Sequence, residues 1–409
     1  MSDKESIKKY ITSARKEIIA FQKLLTSIPA ISPDSGGNGE LAKAKALEAW
    51  LESKNLGKPK WYNAEDSRAE GGIRPNLVLE ISGKKHDKTF WIMSHIDVVP
   101  PGELSLWNSD PYTLKTEDNL IYGRGVEDNQ QGLTASVFAA LSLAENKIVP
   151  EYDVKLLFVA DEEMGSAYGI KFLIEKYDLF KKEDFVLVPD AGDKSGTLIE
   201  IAEKNILWLK ITTLGKQCHA SRPDLGVNAF AASAKLISKL LKLEKKIGDN
   251  DPIFSPPRTT ITPTKKEPNV PNVNTIPGED VFYLDCRILP KTGADKVLSS
   301  IKKIFKKIEK KHKVKIKYEI KQKTSSPATS EKSLIVSLMK KAIKEVYGKK
   351  SKVIGIGGGT VASYLRNKGI DAVVWSRINE TAHMPNERCN LDHLEGDAIV
   401  MAYLMAGDL

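Results

Sequence analysis

The chain has 409 residues, of which 41% are hydrophobic and 28% charged, with 28 Gly and 20 Pro dispersed along it. At about 150 residues per domain this suffices for two or three domains with a sizeable core, and it excludes disordered, low-complexity and collagen-like classes. No apolar run approaches the roughly 18 to 20 residues that span a bilayer, the N-terminus lacks the unbroken apolar core of a secretory signal, and Cys218, Cys286 and Cys389 form no Cys-x-x-Cys pair. A cytoplasmic protein with reduced thiols and no disulfide framework is the expectation.

The N-terminal apolar residues Ile7, Ile11, Ala14, Ile18, Phe21 and Leu25 recur at helical spacing. Short, nearly continuous apolar runs follow at 90–94, 154–160 and 185–188, separated by helical stretches, one of which opens near Gln131. Such runs are what strands covered by helices on both faces look like, so a mostly parallel α/β sheet is predicted. The pattern returns at 353–356 and 372–375 and closes with a helix near 397–405.

Between these stretches the grammar changes. Residues 206–214 read as a strand, 229–243 as an amphipathic helix, and 259–264 and 281–288 as strands. A lysine-rich helix and a strand ending near Ile320 complete a β-α-β-β-α-β order, the plan of a ferredoxin-like domain. The predicted organisation is a discontinuous α/β domain, residues 1–205 and 325–409, interrupted by an inserted α+β domain at 206–324. Residues 324–330, rich in Thr, Ser and Pro, form the return linker.

The net charge is +9, and between Lys291 and Lys323 there are 13 lysines against Asp295, Glu309 and Glu319, a local charge of +10. One segment therefore carries the whole excess. Within it Val297, Leu298, Ile301, Phe305 and Ile308 mark the buried stripe of a helix, and Val314, Ile316, Tyr318 and Ile320 alternate with lysines as a half-buried strand. The lysines are what those apolar faces leave to solvent. The competing reading, a catalytically silent polyanion-binding protein using this face, lacks the interleaved aromatic or Arg residues that such a surface uses.

Several segments leaving strands carry ligand-type side chains. The strand at 90–94 runs into His95-Ile-Asp97, where an imidazole can ligate a divalent metal and a carboxylate two residues on can hold its other ring nitrogen. Gly123-Arg-Gly-Val-Glu-Asp128 precedes the helix near Gln131 and places Asp128 at its N-terminus, where a capping role is the simpler alternative. Asp161-Glu162-Glu163 follows the strand at 154–160 directly. Three adjacent carboxylates repel one another and cost desolvation unless cations compensate them. Asp190 follows the strand at 185–188, and His383 follows the strand at 372–375. His95, Glu162, Glu163, Asp190 and His383 would all lie on segments leaving strands at their carboxyl ends, where open α/β sheets build their sites. Two histidines and several carboxylates without a thiolate suit Zn²⁺, with Mn²⁺ or Co²⁺ possible, and the carboxylate count suggests two ions. A nicotinamide-dependent oxidoreductase is disfavoured, because no Gly-x-Gly-x-x-Gly follows the first strand.

Over essentially its full length the chain resembles the dinuclear zinc amidohydrolases and exopeptidases that include succinyl-diaminopimelate desuccinylase, acetylornithine deacetylase, aminoacylase and glutamate carboxypeptidase. The resemblance rests on His95-Ile-Asp97 with Val98-Val-Pro100, Gly123 to Asp128, Asp161-Glu-Glu-Met-Gly-Ser166, Gly215-Lys-Gln-Cys-His219-Ala-Ser221, Asn274-Thr-Ile-Pro-Gly278 and His383-Met-Pro-Asn-Glu387. It implies that Asp128 bridges two zinc ions, that His95 and Asp190 complete one, and that Glu163 and His383 complete the other. It further implies that Glu162 is the general base, that Asp97 orients His95, and that the peptide bond after Asp128 is cis. His219 of the inserted domain would stabilise the oxyanion in the active site of a homodimer partner. Asn274, Arg287 and the loop Gly357-Gly358-Gly359-Thr360 would contact substrate. Where many members have Asp-x-Lys-Gly, this chain has Asn129-Gln-Gln-Gly132 after the bridging aspartate. The resemblance leads to a zinc hydrolase of an amide next to a free carboxylate. Its substrates would be N-acyl amino acids, as for a desuccinylase or deacetylase, or peptides, as for a carboxypeptidase or dipeptidase. No nucleic-acid or membrane partner is expected.

Overall fold

From Thr89 to His95 every residue of the strand Lys85–His95 is buried, as a strand covered on both faces must be. The computed structural model, which describes residues 2–407, places this strand inside an eight-stranded sheet. The order is Lys60–Glu65, Ile73–Ile81, Tyr152–Val159, Lys85–His95, Phe185–Val188, Asp371–Val374, Leu198–Glu203 and Lys352–Ile356. The four central strands, from Tyr152–Val159 to Asp371–Val374, run parallel. Antiparallel strands Ile73–Ile81 and Lys60–Glu65 extend one side, and Leu198–Glu203 pairs antiparallel on the other. The α/β architecture is as expected, with its parallel part at the centre, where both faces are covered.

Register fixes where the site can form. His95 stands opposite Val159, and Val374 opposite Val188, so the strands end level within each of these two pairs, the second pair two residues short of the first. The segments that follow, beginning with Ile96, Ala160, Pro189 and Trp375, therefore leave the sheet side by side.

Two helices of this unit are buried on nearly all sides. Gln130–Glu145 is buried from Gln130 to Leu143, and Leu391–Ala406 is buried over most of its length. The two pack against each other, and their small residues Ala139, Ala140, Ala398 and Ala402 are all buried. The closing helix starts six residues before the expected 397, because the Asn390 side chain caps it by accepting from the backbone N–H of Asp392 and His393. The N-terminal stripe forms two helices, Asp3–Ser13 and Arg15–Thr26, broken at Ala14.

By contacts the chain divides into Met1–Ile201 with Thr329–Val353 and Tyr364–Leu409, and Ala202–Ala328 with Ile354–Ser363. The second unit has a four-stranded antiparallel sheet in the order Thr260–Lys266, Glu279–Ile288, Asn205–Leu214, Lys315–Lys323. With its helices Ala229–Ile247 and Ala294–His312 it has the β-α-β-β-α-β order of the ferredoxin plan. Its core joins Leu207, Leu209 and Ile211 to Leu236, Phe282, Ile301 and Phe305. The buried stripe of Ala294–His312 includes the five residues expected of it.

The bounds of this unit differ from 206–324 in one respect that matters for the site. Residues 354–363, placed by the sequence reading in the larger domain, join the second unit. Lys204 N–H donates to the Ile356 carbonyl at 2.9 Å, Gly355 N–H to Ile253 at 2.8 Å, and Arg287 Nη1 to Gly357 at 2.9 Å. The chain returns to the first unit between Ala328 and Thr329, within the expected return segment, where Thr324 N–H donates to the Ile206 carbonyl at 2.9 Å and Ser326 N–H to Asn205 Oδ1 at 3.0 Å. All three cysteines are free thiols. Among the described residues no helix is long and apolar enough to cross a membrane.

Candidate metal centre

The strand ends bring His95, Asp97, Glu162, Glu163, Asp190 and His383 together in the first unit, with Asp128 delivered by the turn before the buried helix Gln130–Glu145. Asp128 faces a different histidine with each carboxylate oxygen. Its Oδ1 lies 2.9 Å from His95 Nε2, and its Oδ2 lies 3.1 Å from His383 Nε2. Asp190 Oδ1 is 3.3 Å from the same His95 nitrogen, and Glu163 Oε2 is 3.0 Å from that of His383. The peptide bond between Asp128 and Asn129 is cis.

His95, Glu162 and Asp190 offer three donor atoms within 4.8 Å of one another, and so, separately, do His95, Asp128 and Glu163. Nitrogen and carboxylate oxygen without thiolate is the donor chemistry of a zinc, manganese or cobalt site. The electrostatics also suit a bound cation. Five carboxylates crowd two imidazoles, and burial together with the charge of Asp190 holds Glu162 well above the usual carboxylate range. Burial raises Glu163 as well, against its hydrogen bond to His383. Burial pushes the His95 imidazolium down, but its bonds to Asp128, Asp190 and Asp97 outweigh this and hold it well above its ordinary value. Hydrogen bonds to Asp128 and Glu163 push His383 up to about 10. Burial also acts to raise Asp128, yet its bonds to the two histidines hold it below its ordinary value. A divalent ion at these atoms would compensate the surplus negative charge.

Asp97 orients His95 differently from the expectation. Its backbone carbonyl is 3.0 Å from His95 Nδ1, while its carboxylate oxygen is 3.4 Å away. The carboxylate itself accepts the backbone N–H groups of Glu162 and Glu163.

The triple carboxylate resolves into three environments. Asp161, at φ +62°, turns away from the site, and its Oδ1 accepts from the buried Arg74 at 3.2 Å. Glu163 pairs with His383, leaving Glu162 directed at the His95 and Asp190 side. The sequence reading asked for a metal to compensate all three charges, whereas Asp161 shares the Arg74 guanidinium with Glu40.

Asn129, which the sequence reading left without a role, contacts a ligand-type side chain of the centre. Buried, its amide donates to Asp190 Oδ1 at 2.8 Å and to the Pro189 carbonyl at 2.7 Å. Gly132 permits the approach, since a Cβ there would stand 2.3 Å from the same Pro189 oxygen. The signal in sequence was the unusual Asn129 itself.

The other expected site residues belong to the second unit. His219 is exposed on the short strand Cys218–His219, with its Nδ1 2.8 Å from the Ser221 hydroxyl. Asn274 is exposed, and its carbonyl accepts from Ala220 N–H at 2.8 Å. Arg287 is forked onto Asp285 at 2.8 and 3.1 Å and lies over the Trp208 ring. Gly358 and Gly359 are exposed, and the Thr360 hydroxyl donates to Glu203 at 2.5 Å.

Residues 91–406 match the model of peptidase family M20/M25/M40. The chain is 41% identical over 400 residues to an uncharacterized metallohydrolase of Methanococcus maripaludis, a match covering 92% of this chain and 96% of that protein. It is 27% identical over 383 residues to a succinyl-diaminopimelate desuccinylase of Nitratiruptor, covering 93% of this chain and 96% of that one. Among solved structures, aminopeptidase PepT from Bacillus cereus superposes with a TM-score of 0.75 at 19% identity, covering 96% of this chain and 98% of that chain.

Proposed function

This chain belongs to peptidase family M20/M25/M40 and is a metallohydrolase acting on amide or peptide bonds, and from that premise we propose a zinc enzyme that cleaves an amide next to a free carboxylate, in N-acyl amino acids or short peptides. The observation that carries the reading is the division of Asp128 between two histidines, one oxygen at 2.9 Å from His95 and the other at 3.1 Å from His383. Such a carboxylate is built to bridge. His95 and Asp190 would complete one site and Glu163 and His383 the other.

When bound, a pair of divalent ions lowers the pKa of a water and polarises an amide carbonyl. Glu162 takes the water proton and returns it to the leaving amine, a role for which a carboxylate held above its ordinary pKa is suited. Asp97 keeps Glu162 and Glu163 aimed by holding their backbone amides. His219, exposed and oriented by Ser221, is assigned to the oxyanion of a partner subunit in a homodimer formed through the second unit. Asn274, Arg287 and the 358–360 loop are assigned to substrate.

The test is metal content and turnover together. Zinc-loaded protein is screened against N-succinyl and N-acetyl amino acids and dipeptides, beside Glu162→Gln and His383→Ala. Two ions per chain are expected, with Glu162→Gln keeping both while losing at least 100-fold in kcat, and His383→Ala losing one. Full activity in Glu162→Gln would overturn the proton-transfer role, and a metal-free active enzyme would overturn the whole reading.

A further inference from the structure

Two buried carboxylates that the chemistry above does not use sit on the loops carrying Asp128 and His383, and each reaches into the other loop. Glu387 is fully buried. Its Oε2 accepts from Arg124 Nη1 at 2.7 Å and Gly125 N–H at 2.9 Å, and its Oε1 from the N–H groups of Glu127 and Asp128, both at 3.0 Å. Glu127, also buried, answers in the opposite direction. One of its oxygens accepts from Asn379 N–H and the other from Thr381 N–H, with the Thr381 hydroxyl adding a bond at 2.9 Å.

Burying two carboxylates is costly, and a well-packed apolar contact often serves stability as well or better. What the carboxylates supply and an apolar contact could not is directional hold on main-chain N–H groups, several donors to each anion. The amides they hold bracket the ligands: Glu387 takes that of Asp128 itself, and Glu127 takes those four and two residues before His383. We propose that Glu127 and Glu387 are positioning residues forming a reciprocal clasp that sets the distance between Asp128 and His383, and so tunes the metal site built from Glu163 and His383. The proposal rests on the two-ion reading.

The two halves of the clasp act on different ligands. Glu127 fixes the His383 loop, so its loss weakens the ion shared by Glu163 and His383 and spares the one at His95 and Asp190. Glu387 fixes Asp128, which faces both histidines, so its loss weakens both. Partners that orient ligands typically change metal affinity by about 10- to 100-fold.

The experiment is calorimetric titration of metal-free protein with Zn²⁺, with Co²⁺ absorption spectra as an independent readout. It uses the wild type, Glu127→Gln, Glu387→Gln and the milder Thr381→Val, each checked for folding by circular dichroism. Expected are two sites in the wild type, one of them weakened at least ten-fold in Glu127→Gln and by a smaller factor in Thr381→Val, and both weakened in Glu387→Gln. If Glu127→Gln does not fold, Thr381→Val decides. Folded variants that bind two ions with wild-type affinities, or a Glu127→Gln protein in which both sites weaken equally, would overturn the clasp while leaving the two-ion reading intact. A wild type that binds no metal overturns both.

Discussion

The carboxylate of Asp97 accepts the backbone N–H of Glu162 at 3.1 Å, and its other oxygen accepts that of Glu163 at the same distance. One buried side chain thereby aims the proposed base and a proposed ligand together, while its own backbone carbonyl sets the ring of His95. In Asp97→Asn one acceptor oxygen becomes an amide N–H₂ facing another N–H, so one of the two amides loses its partner. Metal affinity is expected to fall about 10- to 100-fold, with kcat falling beside it at saturating zinc. Zinc titration and steady-state kinetics check this, and an Asp97→Asn enzyme with wild-type values in both would refute it.

Arg74 is fully buried and spans Glu40, at 2.6 and 2.5 Å, and Asp161, at 3.2 Å. Removing the guanidinium strands two buried anions, a loss of the kind that costs about 3 to 5 kcal/mol. Arg74→Met is therefore expected to lower unfolding free energy by that amount in urea denaturation. Arg74→Met combined with Glu40→Met should recover part of it, because the stranded charge of Glu40 is gone. A double variant less stable than Arg74→Met alone would show that the cost lies elsewhere.

Burial pushes Asp397 up to about 6, against hydrogen bonds from Ser376, the Arg377 N–H, Gln131 and Tyr347. In the unfolded chain this carboxyl titrates near 4, so between those values the folded state holds a proton the unfolded state has lost. The sign follows: the contribution is present in full below about pH 4 and is lost as pH rises through about 6, a change of order 3 kcal/mol. The stability of the wild type minus that of Asp397→Asn, measured from pH 4 to 7, is expected to fall by about that amount and then level off. A difference that is flat over this range would contradict the assignment.

The alternation of apolar runs with helical stretches was enough to establish the α/β class and the ferredoxin-like insertion, because burial on both faces leaves a local record in the chain. The ligand types were legible through their convergence, since several histidines and carboxylates follow the carboxyl ends of apolar strands. Local sequence could not supply register. Only the pairing of His95 with Val159 and of Val374 with Val188 brings residues nearly three hundred positions apart into one centre. It likewise took the folded chain to divide the adjacent acids at 161–163, setting Asp161 on Arg74, Glu163 on His383 and Glu162 beside His95 and Asp190, because a carboxylate's surroundings are set by which distant cation or amide reaches it. The contacts of Asn129, Glu127 and Glu387 were hidden for the same reason: their partners lie 60 to 263 positions away, a separation that no periodicity records.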